Sequence, residues 1–123
     1  FCAGGDVRWV YDIGRNDPEQ ALEFFQYEYR MNRRLFYLSK PFIAFIHGIT
    51  MGGGLGVSIH GSHRVAAESL VLAMPETGIG FYPDIGASYF LPRCPGKFGW
   101  HLGLCGDKIN AYDAAYLGLV DFV

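Results

Sequence analysis

The 123 residues are 50% hydrophobic, 16% aromatic and only 18% charged, too apolar for a disordered segment and enough for one modest domain. Ten basic against twelve acidic side chains leave a formal charge of −2 with no run of one sign, so charge gives no case for nucleic acid or a membrane surface as partner. No apolar run approaches the roughly 18 to 20 residues of a transmembrane helix.

The opening Phe1-Cys2-Ala3-Gly4-Gly5-Asp6 reads as the end of a strand entering a tight turn, without an initiator methionine, basic leader or signal pattern. The expectation is a fragment whose N-terminal part lies elsewhere. Residues 7 to 16 read as turn-like. Asp17 is placed to cap a helix, with Pro18 at its first position and Gln20 able to close a capping box. Phe24, Tyr27, Met31, Leu35 and Leu38 follow at helical spacing, which predicts an amphipathic helix of about five turns ended near Lys40 by Pro41. Its aromatic stripe is expected to pack on a core, with Glu28, Arg30, Arg33 and Arg34 on other faces.

Phe42 to Ile46 is a continuous apolar run, as for a strand buried on both faces, and it stops at His47-Gly48. Gly52-Gly53-Gly54 leads into a helix from Leu55. His63 to Ala67 and Leu70 to Met74 read as two short strands. Residues 76 to 96 are rich in Gly and Pro yet carry Ile79, Phe81, Tyr82 and Tyr89, which suits a shaped loop. Lys97 to Leu104 reads as helical, and Asn110 caps a last helix, Ala111 to Leu117, closed by Gly118. Alternation of strand and helix predicts an α/β fold.

Cys2, Cys94 and Cys105 form no C-x-x-C pair and read as reduced thiols. His60 and His63 lack a third ligand at sensible spacing, so no metal is expected and they read as a polar helix end. Gly86-Ala87-Ser88-Tyr89-Phe90 has Phe90 where a serine elbow needs its second glycine. Dinucleotide and P-loop patterns fail too, with Val57 where a glycine is needed and no Gly-Lys-Ser/Thr.

Two features carry chemistry. Ala3-Gly4-Gly5-Asp6 and Gly52-Gly53-Gly54 are glycine-rich turns that let main-chain amides approach a ligand closely, and two amides aimed at one oxygen form an oxyanion hole. Taken singly, either cluster is better explained as a tight turn or close packing. Glu76 and Asp84 lie eight apart among Met74, Ile79, Phe81 and Tyr82, where desolvation raises a carboxyl pKa and two acids can divide nucleophile or base from proton donor. A turn-capping Glu76 and a solvated Asp84 would fit the sequence equally.

The stretch Lys40-Pro41-Phe42-Ile43-Ala44-Phe45-Ile46-His47-Gly48-Ile49-Thr50-Met51-Gly52-Gly53-Gly54 closely resembles the central signature of the crotonase (enoyl-CoA hydratase/isomerase) superfamily. Phe1 to Arg8 resembles that family's other oxyanion turn, and Gly106-Asp107-Lys108-Ile109-Asn110 onward resembles its later helix and turn. The resemblance implies a ClpP/crotonase-like α/β fold of repeated β-β-α turns. Residues 1–123 would be the central part of a single such domain, without its first strands and C-terminal helices. It also implies that Gly5 and Gly53 donate to a thioester oxygen. Ala3, Gly4, Asp6, Arg8 and Gly52 would line the substrate, with Ala3 near the adenine and Arg8 near the phosphates of coenzyme A.

Hydratases of the family carry two glutamates, and the first falls on Gly56 here, which puts water addition in doubt. The run Met74 to Gly86, then Tyr89-Phe90-Leu91-Pro92-Arg93, resembles the 3-hydroxyisobutyryl-CoA hydrolase branch, which pairs Glu76 with Asp84. The implied activity is hydrolysis of a short branched 3-hydroxyacyl-CoA, as in valine catabolism. The alternatives are a hydratase or isomerase, or a non-catalytic acyl-CoA-binding relative. No cofactor is implied, because coenzyme A belongs to the substrate. The family also implies a homo-oligomer, trimer or hexamer, in the cytoplasm of a bacterium or the mitochondrial matrix of a eukaryote.

Overall fold

The computed structural model describes residues 1–123. Helix α1 (Val7–Gly14) forms where the sequence reads as turn-like, because Asp6 caps it: its side chain accepts from the Trp9 N–H at 2.9 Å. Helix α2 (Pro18–Phe36) follows, capped by Asp17, which accepts from the Gln20 N–H at 3.1 Å. Only half of the expected capping box forms, since the Asp17 N–H goes to the Ile13 carbonyl instead. The helix ends at Phe36, a turn before Lys40.

The inward face of α2 also differs from the expected stripe. Tyr27 is 65% exposed and Leu38 47%, while the one fully buried residue is Asn32. Phe24, Glu28 and Leu35 are half-buried on that same side. A polar pair, Glu28 and Asn32, therefore faces inward at the four-residue spacing that stacks side chains on one face.

Strands β1 (Ile43–Ile46) and β2 (Ile49–Met51) follow each other closely but belong to different sheets, and helix α3 (Gly53–Gly56) comes next. Strands β3 (His63–Ala66) and β4 (Val71–Ala73) repeat the step. β1 pairs in parallel with β3, Ile46 opposite Ala66, and β2 pairs in parallel with β4, Thr50 opposite Leu72. Two strand-strand-helix units are thus stacked, and Cys2 adds a parallel bridge to Thr50 from the preceding segment. The run 42–46 is not buried on both faces. Ala44 and Ile46 point into the core, whereas Ile43 is 51% and Phe45 68% exposed, so β1 has one open face in this chain.

The core lies where the two sheets meet the later helices. Ile46, Leu55, Leu70, Leu72, Met74, Leu102 and Leu119 are each less than 2% exposed. Beyond β4 the chain makes a 3-10 turn (Glu76–Ile79), a short helix α4 (Ala87–Phe90), then helices α5 (Phe98–Cys105) and α6 (Ala111–Tyr116). Asn110 caps α6 by accepting from the Asp113 N–H at 2.9 Å. The helix expected from Leu55 onward is a single turn. No helix is long and apolar enough to cross a membrane.

Candidate active site

The two glycine turns meet. A Cβ built on Gly4 would stand 3.0 Å from the Gly53 nitrogen, and one built on Gly53 would stand 3.5 Å from the Gly5 nitrogen. Gly4 (φ +98°) and Gly52 (φ +50°) occupy left-handed backbone that side chains disfavour. Cys2 holds the turns together: its carbonyl accepts from the Met51 N–H at 3.1 Å, and it packs so tightly on Gly54 that a Cβ there would overlap it. Neither the Gly5 nor the Gly53 N–H has a hydrogen-bond acceptor in the protein. Two free donors from separate turns thus share one small volume.

Glu76 opens its 3-10 turn directly after Met74-Pro75 and is 7% exposed, with Oε2 unpartnered. A Cβ on Gly52 would lie 3.0 Å from its other oxygen, so the acid stands against the second glycine turn. Burial pushes the Glu76 carboxyl above the usual carboxylate range; its own main-chain N–H opposes this, and the charge of Asp84 adds to it. Asp84 is also raised by burial, held back by the Tyr29 hydroxyl, which donates to Oδ2 at 2.8 Å.

The loop bearing Asp84 is pinned from the other side. Ile85 has φ +47°, unusual for a β-branched residue, and its carbonyl accepts from His60 Nε2 at 2.8 Å. His60 thus acts as a loop anchor; burial lowers its pKa, and the bond to the Ile85 carbonyl opposes that shift. His63 turns instead to the Ser62 hydroxyl, 3.0 Å away.

Glu28 is the residue that sequence reasoning missed. A Cβ on Gly53 would lie 2.5 Å from Glu28 Oε1, so this third carboxyl sits at the second glycine turn. Its pKa is raised by burial first, then by Asp84 and Glu76. One signal was available: Glu28 falls four residues after Phe24, on the face that Phe24 turns toward Gly5.

Ala3, Gly4, Gly5, Gly52, Gly53, Glu76 and Asp84 line one cavity of about 380 Å³, joined by Glu28. Asp6 and Arg8 do not line it. Asp6 is committed to capping α1, and Arg8 is exposed on that helix. No cluster of three His, Cys, Asp or Glu side chains is arranged to hold a metal ion. Chemically the arrangement offers two main-chain donors for a developing oxyanion. Beside them stand carboxyls whose pKa values burial raises, as suits groups that exchange protons.

The family model described as "Enoyl-CoA hydratase/isomerase" matches residues 1–123. The mitochondrial 3-hydroxyisobutyryl-CoA hydrolase of Xenopus tropicalis is 50% identical over 119 residues, which cover 97% of this chain but 31% of that protein. Small ribosomal subunit protein mS47 of Neurospora crassa is 46% identical over 122 residues, covering 97% of this chain and 24% of that protein. A crystal structure of a carnitinyl-CoA dehydratase from Mycobacterium thermoresistibile superposes with a TM-score of 0.94 at 44% identity, covering 99% of this chain and 36% of that one. The chain therefore spans about a third or less of the length of these relatives.

Proposed function

The chain belongs to the enoyl-CoA hydratase/isomerase family, and from that premise we propose that it carries the catalytic centre of a hydrolase for short branched 3-hydroxyacyl-CoA thioesters. One observation carries the choice of hydrolysis over hydration. A Cβ on Gly56 would lie 2.9 Å from Ile85 Cβ and 3.2 Å from Asn32 Oδ1, so the space of the hydratases' first glutamate is already filled. What remains is Glu76 with Asp84 beside the oxyanion turns, the pair by which the sequence resembles the hydrolase branch.

In this reading the thioester carbonyl sits on the Gly5 and Gly53 N–H donors. Glu76, as carboxylate, attacks the carbonyl carbon or takes a proton from water that does so. The oxyanion collapses, the C–S bond breaks and coenzyme A leaves as the thiol after taking up a proton, while Asp84, steadied by Tyr29, orients the acid or shuttles that proton. In the covalent route water then hydrolyses the acyl anhydride on Glu76 and restores its carboxylate. Glu28 faces the same centre and tunes its charge. The substrate supplies coenzyme A, and no other cofactor is invoked. A mitochondrial setting in a eukaryote and a homo-oligomer complete the proposal.

The test is release of free thiol by the full-length protein from 3-hydroxyisobutyryl-CoA, with crotonyl-CoA as comparison. Thiol release from the first and no hydration of the second is expected; rapid hydration without thiol release overturns the reading. Turnover in labelled water, with trapping of an acyl-enzyme, separates covalent attack from base catalysis.

Similarity to the ribosomal protein mS47 favours one other reading, a scaffold without turnover. It predicts that Glu76→Gln and Asp84→Asn change nothing because the parent releases no thiol.

A further inference from the structure

Two polar side chains of α2 approach the glycines of the single-turn helix α3, and the two approaches are one turn apart. The first contact is Glu28 Oε1 against Gly53, at the oxyanion turn; the second is Asn32 Oδ1 against Gly56. Glu28 and Asn32 are four residues apart and Gly53 and Gly56 three apart, so each pair shares a helix face with about 5 Å of rise between contacts. Asn32 therefore lies one turn deeper than the thioester oxygen would.

Asn32 is 6% exposed, and neither Oδ1 nor Nδ2 has a hydrogen-bond partner in the protein. A carboxamide offers two N–H groups and an acceptor oxygen, and folded proteins rarely bury one with all of these unmet. It borders a cavity of about 350 Å³ whose walls include Phe36, Ile85 and Tyr89. The other polar groups there are committed or turned outward. Tyr29 donates to Asp84, His60 binds the Ile85 carbonyl, and the exposed Arg33 lies over the Tyr37 ring at 5.2 Å. Tyr29 and Ile85 also connect this cavity to the acid pair, one by bonding Asp84 and the other by following it in the chain.

A single unmet amide in a wall whose other polar groups are committed suits one hydroxyl on a short acyl group. We propose that the Asn32 carboxamide binds the 3-hydroxyl of the acyl chain and so sets the preference for 3-hydroxyacyl over plain acyl thioesters. That hydroxyl oxygen is three bonds from the thioester carbonyl carbon, a reach that matches one helical turn once hydrogen-bond lengths are allowed for. The proposal rests on the hydrolase reading for the identity of the thioester. It does not depend on which group attacks.

The experiment uses the full-length protein with 3-hydroxyisobutyryl-CoA and isobutyryl-CoA, which differ only in the hydroxyl. Asn32→Ala is expected to lower kcat/KM for the hydroxylated thioester by about 10- to 100-fold, with isobutyryl-CoA changed by less than about twofold. Equal loss on both, or loss on neither, overturns the proposal, the first outcome marking Asn32 as merely structural. Should Asn32→Ala fail to fold, Asn32→Ser is the substitute, and it is expected to retain part of the preference through its own hydroxyl. Calorimetric titration of both thioesters into Glu76→Gln, with and without Asn32→Ala, separates this proposal from the hydrolase reading. If the parent releases no thiol, the hydrolase reading falls. The Asn32 proposal still stands if the hydroxyl tightens binding only where Asn32 is present, and falls if it does not.

Discussion

The Tyr29 hydroxyl donates a 2.8 Å hydrogen bond to Asp84 Oδ2, joining helix α2 to the acid-bearing loop across 55 residues of sequence. Burial, then the bond to Asp84 and its charge, raise the Tyr29 pKa far above the ordinary phenol value, so the hydroxyl stays a donor at any working pH. Its donation lowers an Asp84 pKa that burial raises. In Tyr29→Phe the Asp84 pKa climbs further, and the acidic limb of the kcat/KM profile moves to higher pH. At neutral pH kcat falls by about tenfold. A pH–rate series on the full-length variant checks this, and an unmoved acidic limb would remove Asp84 from the titrating groups.

Glu28, Glu76 and Asp84 all have raised pKa values in the fold, each with burial as the largest cause. The folded chain therefore holds these protons more tightly than the unfolded one. The stability this contributes is full below the ordinary carboxylate range and is lost as pH rises through the raised folded-state values. Glu76→Gln removes one such group. Its melting temperature should fall less than the parent's between about pH 4 and neutrality, while turnover drops by about 100-fold or more. Melting curves over that range, beside thiol-release rates, test both halves.

Gly53→Ala sets a methyl 2.5 Å from Glu28 Oε1 and 3.3 Å from Gly4 Cα. Glu28 can swing away but the Gly4 backbone cannot, so the two N–H donors are pushed apart. Loss of an oxyanion donor predicts about a 100-fold fall in kcat with little change in melting temperature. Gly54→Ala differs, because its methyl overlaps the Cys2 carbonyl. It should cost about 2 kcal/mol of stability or more, along with activity.

Gly56→Glu, which restores the acid of a hydratase to the sequence, should give no hydration of crotonyl-CoA. Its Cβ meets Ile85 Cβ at 2.9 Å before the carboxyl is even placed. Destabilisation of about 1 to 3 kcal/mol is expected from the overpacking. A gain of hydratase activity would show that Ile85 and Asn32 yield, and would weaken the case for hydrolysis.

At the C-terminal end, Arg64 grips Asp121 with Nε at 2.9 Å from one oxygen and Nη2 at 2.6 Å from the other, which fastens residues 121 and 122 to β3. The Arg64 hydrogen bond is the largest cause of a lowered Asp121 pKa. The stabilisation is therefore present above the ordinary aspartate value and is lost as pH falls through the depressed one. Asp121→Asn should cost about 1 kcal/mol near neutral pH and nothing in strong acid, read from denaturant titrations at the two pH values.

The helix starts at Asp17 and Asn110 and the two glycine turns were legible in the sequence, because caps, tight turns and periodicity depend on neighbours within a few residues. For Glu76 and Asp84, by contrast, the residues alone fitted two readings and the family resemblance chose the pair. Helix α1 was not legible, although its cap at Asp6 is just as local, since residues 7 to 16 carry too short a pattern to separate a helix of two turns from a bend. The run 42–46 misled for another reason. Whether Ile43 and Phe45 are covered depends on what stacks beyond the sheet, and apolar letters do not record that.

The local chemistry of the chain thus set which residues can donate, bend or ionise. Only the stacking of β1 on β3 and β2 on β4 decided which of them meet. That stacking brings Gly5 to Gly53, turns Glu28 and Asn32 inward against α3, and carries Tyr29 to Asp84. These are contacts between residues some 24 to 55 positions apart, and their energy comes from burial shared over the whole core, which no short window of sequence contains.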